Sequence, residues 1–194
     1  MPENENLHAL RVAILATDGV EDSELREPRA ALDRAGAKTT LFAPKAGKIH
    51  SMKHHDKVGE FAVDVTLEDA DPAQFDAVLL PGGALNTDTL RVHPRAQQFV
   101  REMDRAGKPI AVICHAPWLL VSAGLVRGRT ITSYHTIQDD IQNAGGKWQD
   151  AEVVRDKNWV SSRQPSDIPA FNTAIIELFS EKQLAAAERA RKVA

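Results

Sequence analysis

Cys114 is the single cysteine of this 194-residue chain, and its neighbours favour a role as a nucleophile. It ends the apolar run at 111–113 and precedes His115, Ala116 and Pro117. Nucleophile elbows need such a tight strand-to-helix turn with small neighbours, and proline suits the first turn of the helix. A helix N-terminus favours the thiolate, so the position predicts a lowered thiol pKa. The alternative is a buried, inert thiol, which is the commoner state of a lone cysteine.

Two other segments end at the same predicted sheet edge as the cysteine. Gly82 and Gly83 follow an apolar run, and their free N–H groups, with that of His115, could form an oxyanion hole, although a plain turn explains them equally well. Asp22 and Glu24 begin a predicted helix, where acids are favoured by the helix dipole. Glu24 could instead turn inward toward the cysteine.

The histidines do not predict a metal centre. His54 and His55 lie in a lysine-rich segment and could bind a metal adventitiously, but no cysteine or acid lies at ligand spacing. His50 and His93 are expected at the surface. We therefore expect neither a metal nor a cofactor.

Strands and helices alternate along the chain. Apolar runs that end at Gly or Pro predict buried strands at 11–17, 38–43, 75–80 and 109–113. Residues 61–66 alternate apolar and polar side chains as in a half-exposed strand, and residues 152–154 and 159–160 resemble a hairpin. Helical spacing predicts helices at 21–35, 93–106, 116–123, 137–144 and 170–179, with an extra helix or frayed tail at 181–193. The alternation predicts an α/β fold with a mostly parallel sheet and a site at the carboxyl ends of its strands.

Composition narrows the class of protein further. The net charge of −3 argues against a nucleic-acid groove and against an anionic membrane surface. No stretch approaches the ~20 apolar residues of a membrane span, and the first ten residues do not resemble a signal peptide. One cysteine allows no internal disulfide, so a cytoplasmic location is expected. The length fits one domain over residues 1–194, with a core at 11–179.

Several motifs occur in an order that resembles a known family. They are DGVEDSEL (18–25), LPGG (80–83), NTDTLR (86–91), KPIAVICHAP (108–117), AGLVRGR (123–129), TSY (132–134), DD (139–140), NAG (143–145) and WVSSR (159–163). Together they make the chain similar to the PfpI family of intracellular proteases. That family belongs to the class I glutamine amidotransferase-like superfamily, which also holds the Parkinson-associated protein deglycase.

The resemblance implies a flavodoxin-like, three-layer α/β/α sandwich that assembles as a homodimer or, in some members, a hexamer. It implies that Cys114 is the nucleophile and that Glu24 is a protonated acid hydrogen-bonded to the sulfur. Gly83 and His115 would supply the amides of the oxyanion hole.

The resemblance also implies the remaining parts of the site. His115 would be the general base, oriented by Asp88 from a neighbouring subunit, and Tyr134 would line the cysteine pocket. Two departures concern assembly more than chemistry. Ala116 stands where many members have Gly, and residues 181–194 extend past the usual end.

The function expected from these residues is a cysteine hydrolase or lyase. Its substrates would be small carbonyl compounds or their protein adducts, as in a methylglyoxal deglycase or glyoxalase, or peptides. Two alternatives remain open: a redox-sensing stress protein or chaperone that acts through oxidation of Cys114, and a non-catalytic binding domain. Glutamine amidotransferase activity is disfavoured, because no histidine follows His135 to complete that family's triad.

Overall fold

The computed structural model describes residues 7–8 and 10–193, and it describes side chains as far as residue 185. The strands in this part of the chain are β1 (Arg11–Leu15), β2 (Val20–Glu21), β3 (Lys38–Ala43), β4 (Lys48–Lys53), β5 (Asp56–Ala62), β6 (Val65–Thr66), β7 (Ala77–Leu80), β8 (Ile110–Ile113), β9 (Thr130–Ile131), β10 (Lys147–Trp148), β11 (Val153–Asp156) and β12 (Trp159–Ser162). The α-helices are α1 (Asp22–Arg34), α2 (Ala84–Arg91), α3 (Pro94–Arg105), α4 (Pro117–Ser122), α5 (Gln138–Asn143) and α6 (Ile168–Val193).

A seven-stranded sheet forms the centre of the molecule, in the order β11-β12-β8-β7-β1-β3-β6. All neighbouring strands in it are parallel except β11, which pairs antiparallel with β12. The expected α/β fold with a mostly parallel sheet is thus confirmed, and so is the hairpin. Parallel strands place their carboxyl ends at one edge, which brings the segments after β1, β7 and β8 together.

Helices cover both faces of this sheet. Val12 and Ile14 of β1 pack in the core cluster beneath α1 and α6, whereas Ala13 and Leu15 belong to the opposite cluster with α3 and α4. Side chains alternate between the faces of a strand, so burial on both faces explains why these strands are continuously apolar. The result is the predicted three-layer α/β/α sandwich.

Residues 61–66 were expected to form one strand, and this prediction is wrong. The segment ends β5, which pairs antiparallel with β4 in a small sheet, and then begins β6 at the edge of the large sheet. At Asp64 the chain leaves β4 and begins to pair with β3. The Asp64 N–H donates to the Leu41 carbonyl, and the Asp64 carboxylate accepts the Leu41 N–H at 2.7 Å. Helix α2 and strands β2, β4, β9 and β10 were not predicted.

The C-terminal residues form neither a separate helix nor a frayed tail. Helix α6 runs without interruption from Ile168 to Val193, past the end expected at residue 179. Its Gln183 side chain donates a hydrogen bond to the His8 carbonyl at 2.9 Å, which ties the two ends of the described chain together. None of the described helices is long and apolar enough to cross a membrane.

Candidate active site

The backbone at Cys114 forms the sharp turn that the sequence predicts. The residue follows β8 and has φ of 62°, a left-handed conformation that side chains other than Gly rarely adopt. The Cys114 N–H donates to the Ser162 carbonyl at 3.1 Å, and the Cys114 carbonyl accepts from the Tyr134 N–H at 2.9 Å. These bonds to neighbouring segments hold the turn in place against its strain.

His115 turns its imidazole back over the sulfur. Its Nδ1 lies 3.1 Å from Cys114 Sγ, and its Nε2 lies 3.3 Å from the Thr136 hydroxyl. The ring stacks on Tyr134 with centroids 4.9 Å apart and meets Trp118 at 5.4 Å. Sequence adjacency alone did not establish that the two side chains point together, and the structure shows that they do.

Glu24 lies beneath the cysteine and is fully buried. Its Oε2 accepts the Gly82 N–H at 3.0 Å, and its carboxyl also interacts with the Cys114 side chain. Burial of the carboxyl is the main cause that raises the pKa of Glu24 from 4.5 to about 8. At neutral pH this acid is therefore mostly protonated and can donate a hydrogen bond.

The expectation of a lowered thiol pKa is wrong for the single chain. Burial, followed by the nearby Glu24 charge, raises the pKa of Cys114 well above its ordinary value. The backbone N–H groups of Gly83 and His115 act on the sulfur in the opposite direction, but their contribution is smaller. The resting sulfur is a thiol that must lose its proton to react.

His115 is suited to take that proton. Burial lowers the pKa of its imidazole, and the charge of nearby His135 lowers it further. The ring is therefore neutral at physiological pH and keeps one nitrogen free to accept. With Nδ1 facing the sulfur, the geometry allows direct proton transfer between the two side chains.

The loop at Gly82 and Gly83 approaches the cysteine too closely for any side chain. A Cβ at Gly82 would lie 2.6 Å from Cys114 Cβ, and Gly83 has φ of 92° with the backbone of Glu21 against it. Asn86 holds this loop from behind: its amide donates to the Pro81 and Gly82 carbonyls, and its oxygen accepts the Thr17 N–H at 2.7 Å. The amides predicted for an oxyanion hole thus lie beside the sulfur.

Asp88 lies away from this arrangement within one chain. It is exposed on α2, while the two ring nitrogens of His115 face Cys114 and Thr136. The role expected for Asp88 as an acid from a neighbouring subunit therefore stays a prediction. Tyr134 is half-buried and stacks on His115, and its role in lining the cysteine pocket likewise stays a prediction.

Four residues around the site were not singled out as site residues from the sequence: Asn86, Trp118, His135 and Thr136. Asn86 begins the NTDTLR motif, and Thr136 follows the TSY motif by two residues. Their positions in or beside motifs at the same sheet edge were the one feature of the sequence that could have indicated a place near the cysteine. Their contacts depend on side-chain directions that spacing does not reveal.

Nothing among the described residues suggests a metal centre, because no group of three or more His, Cys, Asp or Glu side chains is arranged to hold an ion. A cavity of about 560 Å³ lies at the opposite edge of the sheet, lined in part by His8, Lys108 and Gln183. It contains none of the residues around Cys114, so it is not part of this site.

Comparison with known proteins gives a consistent result. Residues 10–178 match the DJ-1/PfpI family. The chain is 42% identical over 169 residues to the deglycase TK1284 of Thermococcus kodakarensis, covering 87% of this chain and 99% of that protein. It is 39% identical over 168 residues to the putative cysteine protease YraA of Bacillus subtilis, covering 87% of this chain and 97% of that protein.

A solved structure shares the architecture. Drosophila melanogaster DJ-1beta superposes with a TM-score of 0.80 at 26% identity, covering 93% of this chain and 96% of that one. The family match ends at residue 178, whereas α6 continues to Val193. The sequence resemblance is therefore confirmed over the sandwich, and the last part of α6 lies beyond it.

Proposed function

This chain belongs to the DJ-1/PfpI family, and from that premise we propose that it is a cysteine-dependent deglycase or glyoxalase acting on methylglyoxal and its protein adducts. Relatives named deglycase and putative cysteine protease support such activities for the family. The observation that carries the proposal is the contact of 3.1 Å between Cys114 Sγ and His115 Nδ1. It gives a buried thiol a base within direct reach.

The first step follows from this geometry. His115 Nδ1 takes the thiol proton as Cys114 Sγ attacks the aldehyde carbon, so that a C–S bond forms and the carbonyl π pair moves to oxygen. The N–H groups of Gly83 and His115 would then stabilise that oxyanion. The imidazolium then returns its proton to the oxygen, which leaves a neutral hemithioacetal.

The later steps need no external oxidant. The hydrogen on the former aldehyde carbon moves to the neighbouring ketone carbon, and the hemithioacetal hydroxyl proton moves to the former ketone oxygen, which converts the hemithioacetal into a thioester. Water then cleaves the C–S bond, and methylglyoxal plus water becomes lactate. Glu24, protonated by its buried setting, donates to the sulfur and stabilises it whenever it carries negative charge. Attack on a protein adduct begins with the same C–S bond.

The test compares the wild type with Cys114→Ala and Cys114→Ser in a lactate-forming assay and in a peptide-hydrolysis assay. Both variants should retain the wild-type fold by circular dichroism and should lose turnover, because neither supplies a thiolate. Wild-type turnover of methylglyoxal in the Cys114→Ala variant would contradict the proposal. Peptide hydrolysis faster than lactate formation by the wild type would favour the protease activity instead.

We further propose that a second copy of the chain supplies Asp88 to His115. Leu85 on the outer face of α2 and Val92, the residue just past its end, are 64% and 72% exposed, and Asp88 lies between them. Exposed apolar side chains favour burial against a partner. A homodimer or hexamer built on this face would bury them and bring a carboxylate near another chain.

Mixing two inactive variants tests this shared site. Cys114→Ala and Asp88→Ala chains are each expected to lose turnover, whereas co-refolded mixtures regain about a quarter of wild-type turnover if random dimers form. The regained activity would come from mixed dimers, in which one of the two sites has both residues. Mixtures as inactive as the parents, despite demonstrated mixed assembly, would argue against Asp88 acting between chains.

Peroxide sensing through Cys114 is less well supported by the structure. The thiolate is the form that peroxide oxidises, and burial raises the pKa of the Cys114 thiol. With one cysteine in the chain, no second thiol is available to resolve a sulfenic acid internally. Mass spectrometry after mild peroxide treatment distinguishes the two functions, because rapid conversion of Cys114 to a sulfinic acid would favour the sensor.

A further inference from the structure

The hydroxyl of Thr136 occupies the far side of the His115 ring from the cysteine. Its Oγ1 lies 3.3 Å from Nε2, and it is the hydrogen-bond partner that the described residues offer to this nitrogen. Tyr134 stacks on the ring, and Trp118 meets it with the two ring planes tilted by 60°. They fix the plane of the imidazole but provide neither nitrogen with a hydrogen-bond acceptor.

Thr136 is held in this place by the cysteine turn itself. It sits in a single 3₁₀ turn, His135–Ile137, whose Ile137 side chain is fully buried and whose Ile137 N–H donates to the Tyr134 carbonyl at 3.2 Å. The Tyr134 N–H in turn donates to the Cys114 carbonyl at 2.9 Å. Two backbone hydrogen bonds therefore connect the turn that carries the Thr136 hydroxyl to the backbone of Cys114.

A neutral imidazole carries one proton, and the Thr136 hydroxyl, which can both donate and accept, is able to accept from Nε2–H while the Cys114 thiol donates to Nδ1. When Nε2–H donates to Thr136 Oγ1, Nδ1 has a free lone pair directed at the thiol. When the proton sits on Nδ1 instead, the ring cannot accept the thiol proton through that nitrogen. The Nε2–H···Oγ1 bond also persists after transfer, because the imidazolium carries protons on both nitrogens.

We propose that Thr136 is a positioning residue that stabilises, within a single chain, the tautomer of His115 whose Nδ1 accepts the thiol proton. The inference rests on the proposed function for its use, since a base is needed only if Cys114 reacts as a nucleophile. Its geometry stands independently of the substrate.

The ionisable groups around His115 also influence how the reactivity of the Cys114 thiol depends on pH. Cys114 meets Nδ1, Tyr134 stacks on the ring, and His135 lies against Tyr134 with ring centroids 4.5 Å apart. Glu24 interacts with the Cys114 side chain, and around Trp118 the Arg91 guanidinium lies 5.0 Å from the indole centroid while Asp140 accepts the indole N–H at 2.7 Å. None of these is altered by changing Thr136 to Val or Ser, so a shift in thiol reactivity reports on the hydroxyl.

The experiment measures the rate of Cys114 alkylation by iodoacetamide against pH in the full chain. Thr136→Val should slow alkylation near neutral pH about fivefold and move its midpoint up by about 0.7 pH unit, the loss of one ordinary hydrogen bond. The plateau at alkaline pH should not change. Thr136→Ser, which keeps the hydroxyl, and Thr173→Val, which removes an exposed hydroxyl on α6, should retain the wild-type profile.

A second readout observes the tautomer directly. Nitrogen-15 spectra of labelled histidine, with His115 assigned through His115→Gln, should show Nε2 protonated in the wild type and in Thr136→Ser. Thr136→Val should shift the population toward Nδ1–H. A wild-type alkylation profile in Thr136→Val, or equal shifts in the Val and Ser variants, would overturn the inference. Because neither readout uses methylglyoxal, absence of turnover in the wild type would count against the proposed function alone.

Discussion

Replacing Glu24 with Gln should change how the stability of this protein depends on pH. The carboxyl is fully buried, and burial raises its pKa from 4.5 to about 8. The folded protein thus keeps a proton on Glu24 at pH values where the unfolded chain has lost it. A raised carboxyl pKa contributes stability that is fully present below the unfolded value and disappears as pH rises through the folded value.

The size of the effect follows from the same shift. Between the unfolded and folded pKa values, each pH unit lowers the free energy of unfolding by about 1.4 kcal/mol. Over the whole interval the loss amounts to ~5 kcal/mol as an upper value, since water can enter and the turn can relax. Glu24→Gln has no proton to lose, and its amide oxygen can still accept the Gly82 N–H that Oε2 accepts at 3.0 Å.

Urea unfolding of the two proteins between about pH 5 and pH 8 measures this difference. The stability of Glu24→Gln relative to the wild type should increase steadily with pH across that range. Glu27→Gln is the matched control, because it removes an exposed carboxyl from the same helix as Glu24. A difference between Glu24→Gln and the wild type that does not change with pH would refute the assignment of a protonated, buried acid.

The remaining predictions concern the loop, the base and the network that supports the neighbouring strand. Gly83→Ala should lower kcat for methylglyoxal at least about tenfold, whereas Gly107→Ala, which also has a positive φ but open space around it, should cost only ~1 kcal/mol of stability and leave kcat unchanged. His115→Asn should lower kcat by a factor on the order of 10²–10⁴ while thermal unfolding changes little. Asp104→Asn should cost ~1–3 kcal/mol in urea unfolding, because its Oδ1 accepts from Arg129 at 2.7 Å and Trp159 at 2.8 Å. Thiol alkylation in that variant should match the wild type, and a slower rate would show that the network also positions the site.

The strands of the large sheet could be predicted because they are buried on both faces. Burial on two sides demands a continuous apolar run, as at Ile110–Ile113, and such a run is visible without any partner being known. Helix α2 could not be recognised, because it is short and half of its residues face outward. The register change at Asp64 depends on one carboxylate that binds a distant backbone N–H, and no local pattern shows this.

The sequence could predict those parts of the site whose location depends on where a strand ends. Cys114, Gly83 and Glu24 lie at strand ends or just beyond, and the parallel topology brings them together. The protonation states could not be predicted from position. The sequence suggested a helix terminus that lowers the thiol pKa, but burial of the sulfur is the stronger effect and reverses the direction. Burial is a property of the packed fold, so residue type and spacing do not give it.

The two edge strands of the large sheet also affect the tendency of the folded protein to aggregate at high concentration. Strand β6 offers only two residues at one edge, and at the other edge β11 carries Arg155 and Asp156 within its four residues. Short or charged edges discourage strand-by-strand stacking between molecules. The folded protein should therefore resist fibril formation, and aggregation on heating should follow unfolding rather than precede it.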